Sequence, residues 1–453
     1  MKALDALSRT MLLCRDFVRL DEASDDDIAD ALTEIGVAIV ADEENLRTAA
    51  AQSAVVALAG QVLGYGCRLR LIMPDVPVVG YQPPLLSAQL RKGLVDLASD
   101  LIPGGQAEIV DRAVEGDFVF VIGGTPWKRN GARQWRLGGT RWSGVIARPE
   151  AEVPVWPDDF PIGALAAATA AAAEPFKGAL VCLLARNGAD LRHEELLPAN
   201  FARIILGSDD LFKEALPLGH LDVVSGGAIT NCFLHALLRV PGIAGRLRVF
   251  EPETLDLPNL NRYALARRSQ VGMPKTHALA TWQRPDLTIQ GVPLRFDEAS
   301  LGKAIPLAPR IVVGTDDIPS RWFVQLQGPE WLGVGATTHC LAMVSEHTAN
   351  EPCVGCLHPE DDDVDAPIPT ISFVSYWAGL VLVARLLRFR ADERLTGRRQ
   401  TVEIAALRVD ATQGIWWHRV HRSQRCAIGC LTLSCQADRH AISDDDADIG
   451  VGT

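Results

Sequence analysis

No apolar run in the chain is long enough to cross a bilayer. The longest, residues 162–173 and 373–384, fall well short of the roughly 20 residues that a spanning helix requires. Positive charge is scarce as well: 44 Lys and Arg stand against 56 Asp and Glu, a net charge of -12. That balance excludes the basic surface needed to hold nucleic acid or an anionic membrane. The acidic stretches at 360–365 and 444–446 read as solvated loop and tail. The N-terminus mixes Arg9 and Arg15 with acidic residues and lacks a sustained apolar core, so no targeting segment is expected and the cytoplasm is the expected compartment. Cysteines stand alone at 14, 67, 182, 232 and 340, and the other five crowd at 353/356 and 426/430/435. In a large chain without a secretory signature, that clustering points to metal and away from disulfides. His220, His277, His339 and His358 lack the spacing of a triad or a ligand set.

What is present is an ordinary globular composition, 48% apolar and 22% charged over 453 residues, enough for two or three domains. The most informative stretch is 221–275. An apolar strand at 221–224 turns through Ser225, Gly226 and Gly227, continues as a helix pattern to about Arg239, and returns as a strand at 247–250 that ends on Glu251. This is the order of a βαβ nucleotide-binding unit. Small residues at the turn let backbone N–H groups approach phosphate oxygens, and an acid ending the second strand reaches ribose hydroxyls. The glycine fingerprint is incomplete: Ser225 and Thr230 occupy its outer positions, which should hold the backbone further from a nucleotide.

Three further pieces follow in order. Asn259-Leu-Asn-Arg262 lies just past Glu251, Lys275 closes Val-Gly-Met-Pro-Lys, and Gly314-Thr-Asp-Asp317 follows an apolar strand. A nicotinamide-dependent dehydrogenase has no use for these groups. Together they resemble the MoeB/ThiF and ubiquitin-activating superfamily, whose pattern is an acid, then Ser-Asn-Leu-Asn/Gln-Arg, then Gly-x-Pro-Lys, then an Asp in an Asp-x-Thr-Asp-Asn turn. The resemblance spans residues 219–390. It implies ATP-dependent adenylation of a carboxylate, with Arg262 and Lys275 on the phosphates, Asp316 holding Mg²⁺ and Asn259 orienting the phosphates. Gly226 and Gly227 would form the nucleotide turn, and Glu251 would take the ribose, with Glu253 in the same binding set. A carboxylate just past a strand end, at the carboxyl edge of a parallel sheet, faces the crevice where nucleotides bind.

The first half repeats the second in outline. Arg68–Asp75 matches Arg246–Glu253, the strand at 118–122 matches 310–314, and a helix expected at 160–176 matches the segment opening at Pro369. The second copy is longer in the two intervals that hold the motifs, and the loop Ala41–Leu46 of the first contains no glycine and could not cradle a phosphate. The expected fold is therefore α/β, two Rossmann-like ThiF-type units in tandem, the first degenerate and the second ATP-binding. The expected boundaries are an inactive domain over 1–190, an active adenylation domain over 191–440 and a disordered tail over 441–453. Residues 190–220 connect the two and carry a helix pattern around Arg203, whose string resembles that around Arg9. The resemblance implies that Arg9 reaches across a pseudo-dimer interface to the nucleotide phosphates. It also implies a monomeric pseudo-dimer or a higher assembly.

Cys353-Val-Gly-Cys356 with a second cysteine pair about 70 residues on fits a Cys₄ structural Zn²⁺ site that pins the C-terminal segment. Cys426 and Cys430 form that second pair, Cys435 is the alternative ligand, and buried free thiols are the alternative to metal. Between Cys356 and Cys426 there is no cysteine. A thioester-forming nucleophile would be expected there by resemblance, so the chain is expected to stop at the acyl adenylate and pass it to a nucleophile on a separate protein, such as a conjugating enzyme. The partner so implied is a ubiquitin-like protein, with a sulfur-carrier protein or a peptide as the alternative. A nicotinamide-dependent oxidoreductase and an inactive scaffold are the readings of a different class.

Overall fold

The computed structural model describes residues 3–18, 23–128, 131, 133–188, 196–211, 217–297, 306–349, 351–361, 369–393, 399–409 and 414–430. Helices α1 (Ala3–Val18) and α2 (Asp25–Thr33) precede a first unit. It comprises β1 (Gly36–Val40), α3 (Ala49–Gly64), β2 (Arg68–Ile72), α4 (Leu90–Ser99), β3 (Ala107–Ile109), β4 (Phe118–Ile122), β5 (Gln134–Gly139), β6 (Ser143–Ala147), α5 (Ile162–Arg186) and β7 (Phe201–Ile205). The second comprises β8 (Pro217–Val224), α6 (Ala228–Leu237), β9 (Ala244–Phe250), α7 (Lys275–Ala280), β10 (Leu287–Val292), β11 (Arg310–Val313), α8 (Ile318–Leu326), β12 (Trp331–Thr338), β13 (Leu341–His347), α9 (Val354–Leu357), α10 (Ser372–Arg390), β14 (Thr401–Ala405) and β15 (Ile415–His418).

The first sheet runs β3-β2-β1-β4-β5-β6-β7 and the second β10-β9-β8-β11-β12-β13-β14-β15. Each is parallel over its first five strands and antiparallel beyond. The two orders superimpose strand for strand, with β15 as an extra edge. The tandem α/β reading thus holds, and the central strands are β-branched and buried on both faces, as covered parallel sheets require.

Two expectations change. The segment around Arg203 is not a helix: Phe201–Ile205 pairs antiparallel with β6, so the first sheet reaches beyond residue 190. Its exposed-buried alternation suits an edge strand, and its counterpart is β14, so the likeness to the string around Arg9 in helix α1 is not structural. The two apolar runs lie within longer helices. α5 has 25 residues and α10 has 19, long and apolar enough to cross a membrane by length and composition. Within the molecule they are core, with 89% and 100% of their most apolar windows buried. Charged side chains extend them at no net exposure: Lys177 pairs with buried Glu174 at 2.6 Å, and Arg385 donates to the Gln400 carbonyl at 2.6 Å.

One core runs through both units. Tyr65 of the first unit meets Phe373 of the second edge-on at 6.3 Å, and Phe176 completes the cluster at 5.9 Å from Tyr65 and 5.7 Å from Phe373. Polar contacts cross the same seam. Ser372 Oγ donates to the Gln61 carbonyl at 3.0 Å, and buried Arg239 donates to Gln82 Oε1 at 3.0 Å and to the Pro83 carbonyl. The proposed tail at 441–453 and Cys435 lie outside the described residues.

Candidate nucleotide and metal sites

The carboxyl ends of β8, β9 and β11 open on a cavity of about 420 Å³. Arg9, Gly227, Glu251, Glu253, Asn259, Arg262, Lys275 and Asp316, scattered over the chain, all line it. Gly226 does not. It lies behind, where a Cβ would stand 2.9 Å from Glu251 Cγ and 3.4 Å from Lys275 Cβ. A glycine is needed there for close packing.

The turn is satisfied from within. Gly226 N–H donates to Glu251 Oε2 at 2.8 Å and Glu253 N–H to Glu251 Oε1 at 3.0 Å, while Gly227 N–H donates to Ser225 Oγ at 3.1 Å. The expectation that the N–H groups of these glycines face phosphate is thereby altered: Glu251 and Ser225 already hold them. Ser225 has φ of 85°, the left-handed region in which a glycine is free and a serine is strained. Its hydroxyl bond to Gly227 and the bond from Thr230 Oγ1 to its carbonyl, 2.7 Å, hold it in place.

Cations line the same cavity. Arg262 and Lys275 share the ring of Tyr263, whose centroid is 5.6 Å from the first and 5.8 Å from the second. Burial lowers the pKa of Arg262; Tyr263 opposes this, Arg9 lowers it further and Asp316 raises it. Burial also acts to lower Lys275, but Tyr263, Glu251 and Glu253 outweigh it and raise the ammonium above its ordinary value, so it is charged at neutral pH. Lys275 forms an ion pair with Glu253. Asn259 Oδ1 accepts from Asp256 N–H at 2.9 Å, closing the short helical turn at Leu257–Asn259.

Asp316 and Asp317 divide their work. Asp317 caps α8, its carboxylate accepting Ser320 N–H at 2.7 Å and pairing with Arg295 at 3.0 Å. Burial acts to raise its pKa, but the Ser320 bonds and Arg295 outweigh it and hold the carboxyl below its usual value. Asp316 is exposed at the cavity mouth. The Thr315 carbonyl beside it accepts two bonds from Arg321, 3.1 and 2.7 Å, so the loop that carries Asp316 is fixed by α8. Tyr263, Arg295 and Arg321 were not legible as site residues. Nothing in their local sequence distinguishes them from core and surface residues.

In the first unit the turn after β1 is tied by a side chain to the end of β4. Asn45, in the short helical turn Glu44–Leu46, accepts Gly124 N–H at 2.8 Å and is itself bonded to Asp42 at 2.8 Å.

A second cluster forms where α9 meets the turn at 426–430. The sulfurs of Cys353, Cys356, Cys426 and Cys430 lie within 4.8 Å of one another, with Cys353–Cys426 at 3.4 Å, Cys356–Cys430 at 3.3 Å and Cys353–Cys356 at 3.7 Å. Tetrahedral zinc with bonds of roughly 2.3 Å sets sulfurs about 3.8 Å apart, so the four residues fit Zn²⁺ closely. Among the described residues, Cys430 is the fourth cysteine of the cluster. The cluster abuts α8: His358 Nε2 lies 3.1 Å from Arg321 Nη1, and Trp322 Nε1 donates to the His358 carbonyl at 2.9 Å.

Residues 220–427 match the ThiF family. The molybdopterin-synthase adenylyltransferase of Salmonella typhimurium is 29% identical over 180 residues, 37% of this chain and 70% of that protein. Its namesake in Haemophilus influenzae is 28% identical over 135 residues, 29% of this chain and 55% of that one. Uncharacterized protein y4jF of Sinorhizobium fredii is 31% identical over 144 residues, 31% of this chain and 28% of its own length. The chain thus spans between about a quarter and 70% of the curated relatives it matches. Among solved structures, E. coli MccB with AMPCPP and MccA is 16% identical at a TM-score of 0.40, over 46% of this chain and 66% of that one.

Proposed function

We propose that this chain, whose residues 220–427 match the ThiF family, activates the C-terminal carboxylate of a small ubiquitin-like protein as an acyl adenylate. The observation that supports this most directly is the gathering of Arg9, Asn259, Arg262, Lys275 and Asp316 around one cavity at the carboxyl edge of a parallel sheet. ATP lies with its ribose toward Glu251 and its phosphates among Arg9, Arg262 and Lys275. An ionised carboxylate oxygen of the partner attacks the α-phosphorus, the bond to the bridging oxygen of the β-phosphate breaks, and pyrophosphate leaves. The attacking group is already an anion, so no general base is required. The cations stabilise the charge that develops on the leaving group. Asp316 would hold Mg²⁺, which when bound neutralises phosphate charge.

The chain then passes the adenylate to a nucleophile outside itself. Burial pushes the Cys232 thiol, 3.8 Å from the Arg262 carbonyl, far above its usual range, and buried Cys14 is pushed up to about 12 by the same cause. Neither suits a thiolate nucleophile. A sulfur-carrier protein, the reading that two of the named relatives favour, or a peptide would undergo the same first step. The test is exchange of labelled pyrophosphate into ATP, with and without a small protein isolated by its binding to the chain. Exchange should depend on that protein, and Asp316→Ala should reduce it by on the order of a hundredfold without loss of fold. Near-normal exchange in the variant would overturn the site.

A further inference from the structure

The first unit has no free nucleotide turn of its own, yet it reaches the second unit's phosphate side at points other than Arg9. Helix α1 packs against the turn Leu257–Asn259. There Asn261 Nδ2 donates to Thr10 Oγ1 at 2.9 Å, and both residues are fully buried. The other end of the same amide faces the cavity side, where Asn261 Oδ1 accepts from Arg262 Nη1 at 2.9 Å. The first unit also seats the backbone of Asn261. A Cβ on Gly64, the last residue of α3, would stand 2.8 Å from the Asn261 carbonyl oxygen. Further along the loop, Asp100 at the end of α4 accepts Ser269 N–H at 2.9 Å and Ser269 Oγ at 2.7 Å.

We propose that Thr10 is a positioning residue for Arg262. Its hydroxyl fixes the rotamer of Asn261, and Asn261 fixes the guanidinium. The inference rests on the adenylation reading above. A primary amide offers an acceptor at one end and donors at the other. With Thr10 holding the donor end, only the acceptor end is presented to the arginine. Without that hydroxyl the amide has a buried donor lacking its partner, and flipping it would present N–H to a cation. Arg262 would then keep its bond to the Pro258 carbonyl, 2.9 Å, and its contact with the Tyr263 ring, but lose the acceptor that completes its aim toward the phosphate side. The first unit thus contributes geometry to a site in which, through Thr10, it makes no contact with substrate.

The test compares the full-length chain with Thr10→Val, Thr10→Ser and Thr10→Cys, by calorimetric titration with a non-hydrolysable ATP analogue. Thr10→Val should weaken binding about tenfold, as loss of a buried hydrogen bond to a charge-bearing network does. Thr10→Ser should bind within about twofold of the parent. Thr10→Cys, whose thiol fills the space but accepts more weakly, should lie between and keeps the test open if the valine variant fails to fold. In an Arg262→Lys background the loss from Thr10→Val should shrink below about threefold, because the group being positioned is gone. A purely structural role would leave that loss unchanged, and such additivity would overturn the proposal. So would parent-like binding by Thr10→Val, or by Thr10→Cys should the valine variant not fold. A parent chain that does not bind the analogue would remove the adenylation reading and this one with it. A parent that binds while Thr10 proves indifferent would remove this one alone.

Discussion

Ser225 shows how a residue can depart from a pattern and keep the geometry. Its φ of 85° is glycine's conformation, and the hydroxyl bond to Gly227 N–H offsets part of the strain. Alanine at this position keeps the strain and loses the bond, whereas glycine loses both. Ser225→Gly should therefore be more stable than Ser225→Ala by about 1 kcal/mol, measured as the difference in urea unfolding free energy. Equal stabilities would show that the turn relaxes to another conformation. At this scale the sequence was readable where a motif has fixed spacing: Asn259, Arg262, Lys275 and Asp316 meet at one cavity. It was silent on Thr10, Tyr263 and Arg321, because the contacts of Thr10 with Asn261, Tyr263 with Lys275 and Arg321 with Thr315 join residues that are not neighbours in the chain.

At the scale of elements, what was legible was periodicity, and what was not was pairing. The exposed-buried alternation of Phe201–Ile205 has no counterpart in an apolar-polar alternation, since apolar Phe201 and Ile205 are exposed, and only pairing with β6 decides. The full length of α5 and α10 was masked by Glu174 and Arg385, charges that end the apolar runs in the sequence but are partnered inside the fold. The cysteine knuckle was legible as two clusters, but the place of Cys430 in it depends on the turn at 426–430, where Gly429 takes φ of 64° and Ala427 N–H meets the Gly355 carbonyl at 3.4 Å. Cys430→Ser should therefore lose bound zinc, measured by elemental analysis, while Cys435→Ser retains it. Loss should also open residues 421–430 to protease, since beyond β15 the segment meets α9 through these sulfurs, a small apolar cluster and one backbone bond. Zinc retained by Cys430→Ser would show that another ligand completes the site.

At the scale of the whole molecule, the two units are halves of one folding body. Their sheets are separate, but α3 and α5 of the first pack against α10 of the second, and the aromatic cluster of Tyr65, Phe176 and Phe373 belongs to both. Helix α1 is equally committed: Leu7, Leu13 and Cys14 are buried, so the part played by Arg9 is measured with Arg9→Ala and not by deletion of the helix. The seam also holds a charge. Arg239 is 4% exposed, and burial lowers its pKa to about 10 against the opposing effect of Tyr376 and Tyr81. It stays charged at neutral pH and depends on Gln82 and Pro83 of the first unit for two of its hydrogen bonds. Gln82→Ala removes one of those partners and leaves a buried cation short of an acceptor, at a cost of about 2 kcal/mol. If the units unfold together, the slowest-exchanging amides of β4 and of β11 should lose the same amount of protection in hydrogen exchange, because both report one global opening. Loss of protection confined to β4 would mean that the first unit opens alone and that the shared core does not couple the two halves.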